Sequence, residues 1–169
     1  STIDRVNGEV DGMHLSGTGN QFTVTNSVVK NVRSDRHGEE CNIDIEGAGN
    51  SAKIVNNYIQ KTHTSYSYGD HYNIRINDTT DVLIANNIFS NHIYGMVDAP
   101  FGVTVLNNHA IEGSSGVRDG VVATNTTSGS PNFVDSDPYQ LAENSPCINA
   151  GTEDPRYNDR DGSRNDIGP

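Results

Sequence analysis

The chain has 169 residues, with 22 acidic against 11 basic side chains, 17 glycines and no tryptophan. Its formal charge of −11 argues against a whole-molecule attraction to nucleic acid or anionic membranes. No stretch approaches the roughly 18 to 20 apolar residues needed to span a bilayer, and no charged-then-apolar signal opens the chain, so any export signal is expected to have been removed or to lie upstream.

In chain order, Ser1 to Val10 reads as the third strand and corner of a coil that lacks its first two strands. The expectation is a fragment of a longer protein, or a partner covering the open end, because a bare sheet edge and core otherwise meet solvent there. From Gly12 to Val105 apolar residues alternate over short runs, as in Met13 and Leu15, Phe22 and Val24, Ile43 and Ile45, and Ile74 and Ile76. This is the period of strands with one buried face. An Asn-containing turn then recurs between apolar stretches at Asn26, Asn56, Asn86 and Asn107, in steps of 30, 30 and 21 residues. Self-similarity at that period predicts a solenoid, one coil per repeat, forming one domain.

Aligned on the Asn turns, the first strands are predicted at 12–16, 42–46 and 73–77, with a shorter one near 96–98. Second strands hold Phe22 and Val24, Ile54, Leu83 or Ile84, and Val103 and Val105; third strands hold Val28-Val29, Tyr58-Ile59, Ile88-Phe89 and Ala110-Ile111. Asn26, Asn56, Asn86 and Asn107 are expected to form an internal ladder, each amide bonding the turn backbone of its neighbours. A second Asn at 57, 87 and 108, with Ser27 in the first coil, either continues the ladder or faces outward. Cys41 and Cys147 are too few for a disulfide framework and read as small buried residues.

The stacked Asn turns and the tail, from Pro131-Asn132-Phe133-Val134-Asp135 through Ser145-Pro146-Cys147-Ile148-Asn149-Ala150-Gly151 to Asp159-Arg160-Asp161-Gly162 and Asp166-Ile167-Gly168, resemble a right-handed parallel β-helix protein of the pectate-lyase-like superfamily. Cys147 and Asn149 replace the Ala and Asp usual in that terminal segment. The resemblance implies an all-β, single-stranded solenoid of about four to five coils over 1–116, with a last partial coil and a wrapping C-terminal tail over 117–169. It also implies a secreted or cell-surface protein of bacterial or phage type that acts on or binds acidic polysaccharide. Lyases, hydrolases, epimerases, adhesins and tailspikes share the fold, which does not choose among them.

The alignment places His14, Asp44 and Arg75 in one outward column, Ser16, Glu46 and Asn77 in a second, and Asn42 and Asn73 in a third. Strands about 4.8 Å apart give such a column a length of roughly 10 Å, suited to a sugar chain. The longest loops, 33–40 and 62–71, contribute Arg36, His37, Glu39, Glu40, His63, Tyr66, Tyr68, Asp70 and His71. Five of the six histidines, at 14, 37, 63, 71 and 92, fall on that face or in its loops, and a histidine cluster is a sign of acid, base or ligand work. Against this stands ordinary cross-strand charge pairing on a solvated face.

If the face is catalytic, lyase or epimerase chemistry fits best. Proton removal beside a uronate carboxylate needs a base, and a cation for the developing enolate. Arg75 is the expected neutraliser and His14, His71 or Tyr68 the base or acid. Arg36, His37, Tyr66, Tyr68, Glu46 and Asn77 are expected to contact substrate, while Asp44 and Glu46 either hold the imidazole or bind Ca²⁺. Lys30, Lys53 and Lys61 miss the first strands, so the strand-face Lys base of related lyases is absent. The polygalacturonase pattern also fails, because Arg75-Ile76-Asn77 lacks its Lys and Asp44 has no Asp beside it, although Asp44 and Glu46 leave another hydrolase geometry open. Asp159 and Asp161 resemble the start of a Ca²⁺ loop but lack a terminal bidentate Glu, so a structural turn competes with metal there. The alternative to an enzyme is a non-catalytic carbohydrate-binding, adhesive or fibre segment.

Overall fold

A computed structural model describes residues 2–4, 7–8, 12–34, 40–61, 71–79, 81–90, 95–99, 102–111, 117, 121–135 and 137–169. Strands β1 (Thr2–Asp4) and β2 (Asn7–Gly8) precede the first full repeat, β3 (Met13–Ser16), β4 (Gln21–Thr25) and β5 (Val28–Ser34). The second repeat is β6 (Glu40–Glu46), β7 (Ser51–Val55) and β8 (Tyr58–Lys61), and the third is β9 (His71–Asn77), β10 (Asp81–Ala85) and β11 (Ile88–Ser90). The fourth is β12 (Gly95–Asp98), β13 (Val103–Leu106) and β14 (His109–Ala110). Strands β15 (Ala123–Thr124) and β16 (Thr127–Ser128) follow, then β17 (Phe133–Val134), β18 (Asp137–Leu141) and a 3-10 turn at Pro155–Tyr157. No α-helix occurs among the described residues.

Each repeat lends one strand to each of three sheets. First strands order as β3-β6-β9-β12, second strands as β4-β7-β10-β13-β15, and third strands as β1-β5-β8-β11-β14-β16. Pairing within all three is parallel, and the only antiparallel pair described is β17 with β18. The protein is therefore all-β with parallel sheets, consistent with a β-solenoid. Like residues stack: Ile43 on Ile74, Ile45 on Ile76, Ile54 on Ile84 and Ile59 on Phe89. All eight are at most 2% exposed, and each such side chain contributes roughly 1.5–3 kcal/mol by leaving water. In β10 the inward pair is Val82 and Ile84, while Leu83 points to the outer face.

The Asn ladder is displaced by one residue from its expected place. Asn26, Asn56, Asn86 and Asn107 take positive φ, between 48° and 57°, the left-handed turn conformation that Asn tolerates better than most residues. That geometry turns the next residue inward, so the ladder is built by Asn57, Asn87 and Asn108, all 0% exposed. Asn57 Nδ2 donates to Asn87 Oδ1 (2.9 Å) and Asn87 Nδ2 to Asn108 Oδ1 (3.1 Å), while the backbone N–H groups of Ser27, Asn57 and Asn87 donate to the amide oxygen of the next rung. A fifth turn of the same kind lies at Asn125, with φ 54°.

The first Asn of each pair faces the tail instead. Asn107 Nδ2 donates to the carbonyls of Ala150 and Gly151, Asn86 Oδ1 accepts from Thr152 N, and Asn56 Oδ1 accepts from Asn165 Nδ2. Beside this row Val28, Tyr58 and Ile88, on the outer side of the third sheet, pack under Cys147 and Ile167 in a second apolar cluster. Phe133 and Tyr139 meet the Tyr58 ring edge-on at 5.8 and 5.2 Å. Both cysteines are buried, Cys41 1% and Cys147 0% exposed.

Candidate functional site on the first-strand sheet

Parallel registry sets His14 opposite Asp44 and Asp44 opposite Arg75, because hydrophobic alternation fixes which residue of each strand points outward. Asp98 extends the row, opposite Arg75. It lies in the strand expected near 96–98, and carrying the registry one strand further would have exposed it.

The column is bonded, not merely aligned. Arg75 donates through Nε to Asp44 Oδ1 (2.9 Å) and through Nη2 to Oδ2 (3.0 Å). His14 Nδ1 lies 2.9 Å from Asp44 Oδ2, and Nε2 lies 3.3 Å from Glu46 Oε1. Asp44 is only 1% exposed, a correction to the open carboxylate expected on a flat face: the side chains of its two neighbours in the row cover it. Burial pushes the Asp44 carboxyl upward, but the Arg75 bond and charge, followed by those of His14, outweigh it and hold the group below the ordinary 3.8. The imidazole of His14 remains half exposed, at 45%, with its ring plane fixed from beneath by a buried carboxylate.

The second column forms as expected, with Ser16 opposite Glu46 and Glu46 opposite Asn77, all three exposed. The third does not. Asn42 and Asn73 are 0% exposed, because they lie at the corner with the third sheet, where Asn42 Nδ2 donates to the carbonyl of Gln60 at 2.8 Å. His71 opens β9 four residues before Arg75, about 13 Å along the strand, and the histidine hydrogen-bonded to Asp44 is His14. Arg36, His37, His63, Tyr66, Tyr68 and His92 lie outside the described residues.

Among the described residues, His14, Asp44 and Glu46 are the one trio of potential metal ligands, their donor atoms all within 4.8 Å of one another. Both Asp44 oxygens already accept from Arg75 and His14. A Ca²⁺ ion, which takes six to eight oxygens, would compete there with those bonds and with the 3.3 Å contact between Glu46 Oε1 and His14 Nε2, so the trio fits that ion poorly. At Asp159 and Asp161 the chain makes a tight turn: Gly162 N donates to Asp159 O, and Ser163 donates through N and Oγ to Asp161 Oδ1. Burial, then repulsion from Asp166 and Asp161, raises the Asp159 carboxyl.

Two features escaped the sequence reading. Gly17-Thr18-Gly19-Asn20 and Gly47-Ala48-Gly49-Asn50, 30 residues apart, build the corner between first and second strands, where Asn20 N donates to Asn50 Oδ1 and Asn50 Nδ2 to Gly17 O. Their shared Gly-x-Gly-Asn spacing was the available signal. His109 is 1% exposed, its Nδ1 2.8 Å from Thr127 Oγ1 and its Nε2 3.0 Å from the Gly129 carbonyl. No protein-family model, no curated protein and no solved structure matches the chain.

Proposed function

We propose that the three parallel sheets wind as a right-handed β-helix of the pectate-lyase-like kind, and that the first-strand face acts on a uronate-containing polysaccharide outside the cell, as a lyase or epimerase. The hand follows the strong preference of parallel crossover connections. The observation that supports the chemistry best is the His14 imidazole, held through Nδ1 by buried Asp44 while Nε2 reaches the surface beside Glu46.

In this scheme His14 takes the proton on the sugar carbon next to the carboxylate. Asp44 fixes the ring and stabilises the imidazolium that forms, as a buried carboxylate does behind a catalytic histidine. Arg75 has a different part from the one expected of it. Its bidentate bond with Asp44 commits its charge there, so it acts as a positioning residue, and the substrate carboxylate is left to the loop cation Arg36. Glu46 and Asn77 contact sugar hydroxyls. In a lyase the proton taken by His14 passes on to the leaving oxygen, and in an epimerase a water on the opposite face supplies the new proton while His14 releases the old one to solvent.

A second reading, a non-catalytic glycan-binding segment, draws on the same ion pair. With Arg75 neutralised by Asp44 and a net charge of −11, the described residues of the face hold little to attract a polyanion.

The test is incubation with pectate, alginate and chondroitin in D₂O. Proton NMR then follows loss of the signal beside the carboxylate, which a lyase and an epimerase share, and ultraviolet absorbance follows the unsaturated product of a lyase alone. Exchange that disappears in His14→Ala supports the scheme. Binding without exchange on every polymer selects the second reading, and exchange that survives His14→Ala removes the site.

A further inference from the structure

We propose that His14 Nε2 and Glu46 Oε1 form a site for a divalent transition metal of the zinc class, and that the bound metal silences His14 as a base. The silencing rests on His14 being the base of the proposed function; the metal site does not.

The buried carboxylate beneath His14 decides which ring nitrogen faces outward as a ligand. Asp44 is 1% exposed and ionised at neutral pH, so its oxygens accept hydrogen bonds and donate none. His14 Nδ1, 2.9 Å from Asp44 Oδ2, is therefore the nitrogen that carries the ring proton, and the bond made by one nitrogen sets the state of the other. In that tautomer a neutral imidazole presents a lone pair at Nε2. Glu46 Oε1 stands 3.3 Å from it, a carboxylate oxygen that likewise only accepts. Two acceptors at that separation repel each other unless a cation lies between them.

The gap matches the edge of a tetrahedral metal centre. Zinc takes imidazole nitrogen at about 2.0–2.1 Å and carboxylate oxygen at about 2.0–2.2 Å, and such ligands set 3.3 Å apart subtend about 100 to 110° at the metal. Asp44, on the other ring nitrogen, completes the carboxylate–histidine–metal arrangement, which fixes the ring and raises the basicity of the ligating nitrogen. Arg75 holds Asp44 through both oxygens, so this carboxylate orients the imidazole from outside the coordination shell. The His14 and Glu46 side chains are 45% and 48% exposed, which gives a metal access and leaves its remaining positions to water. One imidazole with one carboxylate suits zinc, whereas Ca²⁺ prefers an all-oxygen shell. A metal on Nε2 occupies the lone pair that would take the sugar proton.

The test titrates Zn²⁺ into the whole metal-free chain, read by calorimetry and by ¹⁵N NMR of the His14 ring. Nε2 of His14 is expected to shift as a metal-bound nitrogen while Nδ1 keeps its proton, with affinity at least tenfold weaker in the exposed variant Glu46→Gln. No shift of Nε2 at millimolar Zn²⁺, a metal signature at Nδ1, or unchanged affinity in Glu46→Gln overturns the site. Displacement of Zn²⁺ by an equal concentration of Ca²⁺ overturns the metal class. Proton exchange on a responsive polymer should stop at zinc saturation and return after chelation; exchange that continues with Nε2 metal-bound overturns the silencing. If the metal-free chain exchanges no polymer while the Nε2 signature appears, the proposed function and the silencing fall together and the metal site stands.

Discussion

Replacing Asn87 by Ala tests whether the second Asn of each pair carries the stack. Asn87 Oδ1 accepts from Asn57 N (3.0 Å) and Asn57 Nδ2 (2.9 Å), and its Nδ2 donates to Ile54 O (2.8 Å) and Asn108 Oδ1 (3.1 Å). After truncation Asn57 Nδ2 keeps the carbonyls of Val24 and Val55, and Asn108 Oδ1 keeps the Asn87 N–H. The buried Asn57 N–H loses its acceptor, and the Ile54 carbonyl loses its side-chain donor. At about 1–3 kcal/mol for each of the two buried groups left unsatisfied, the expected loss is about 2–6 kcal/mol. That is a large share of the total of about 5–15 kcal/mol typical of a domain. Ser27→Ala, at the end of the ladder, is the control: its hydroxyl donates only to the Thr25 carbonyl, on the surface, and its loss should cost about 1 kcal/mol or less. Urea unfolding followed by far-ultraviolet circular dichroism gives both values. A loss below about 1 kcal/mol in Asn87→Ala, or equal losses in the two variants, would refute the ladder as a main source of stability.

Acid sensitivity should trace partly to His109, whose folded pKa burial lowers below 6.5, the Gly129 bond offsetting this only in part. Above pH 6.5 the imidazole is neutral in both states. As pH falls through that value the unfolded chain takes up a proton that the folded chain refuses, and stability drops until the folded pKa is reached; melting curves from pH 7.5 to 5 should show a shallower slope for His109→Gln, and identical slopes would remove the assignment. Gly47→Ala should cost more than about 1 kcal/mol, because at φ 114° an added Cβ would sit 1.9 Å from the Gly17 carbonyl oxygen. Gly19→Ala, at φ 70° with open space around it, should be the milder change in the same thermal assay, and the reverse order would contradict the packed-corner account. Burial raises the Cys147 thiol to about 11, so iodoacetamide at pH 8 should alkylate it only after unfolding. Mass spectrometry that finds Cys147 modified in the native protein would show that the tail does not cover it.

The repeat and the strand faces were legible because both depend on local periodicities. The alternation through Ile43, Ile45, Ile74 and Ile76 fixed which side chains point inward, and a spacing of 30 residues fixed which of them stack. The same ruler brought His14, Asp44 and Arg75 together. It did not show that their charges close on one another, because a guanidinium and a carboxylate in registry can face solvent separately or bond side-on. The ladder was placed one residue early for a conformational reason: both residues of Asn56-Asn57 and Asn86-Asn87 are Asn, so composition cannot tell the left-handed position from the inward one. Asn42 and Asn73 misled because strand parity describes an isolated sheet, and at a corner a neighbouring sheet covers residues that parity turns outward.

The grip of the tail on the Asn row has a consequence for how the protein comes apart. In a linear array each repeat touches only its neighbours, and loss can begin at an end and proceed one unit at a time. Here one segment, 145–168, reaches Asn56, Asn86 and Asn107 and lies over Val28, Tyr58 and Ile88, which belong to four successive repeats. An end repeat cannot leave without weakening a clasp that also holds the middle ones. The clasp ties units that would otherwise fray separately into a single cooperative transition, with amide protection in the third sheet rising and falling together from β5 to β14.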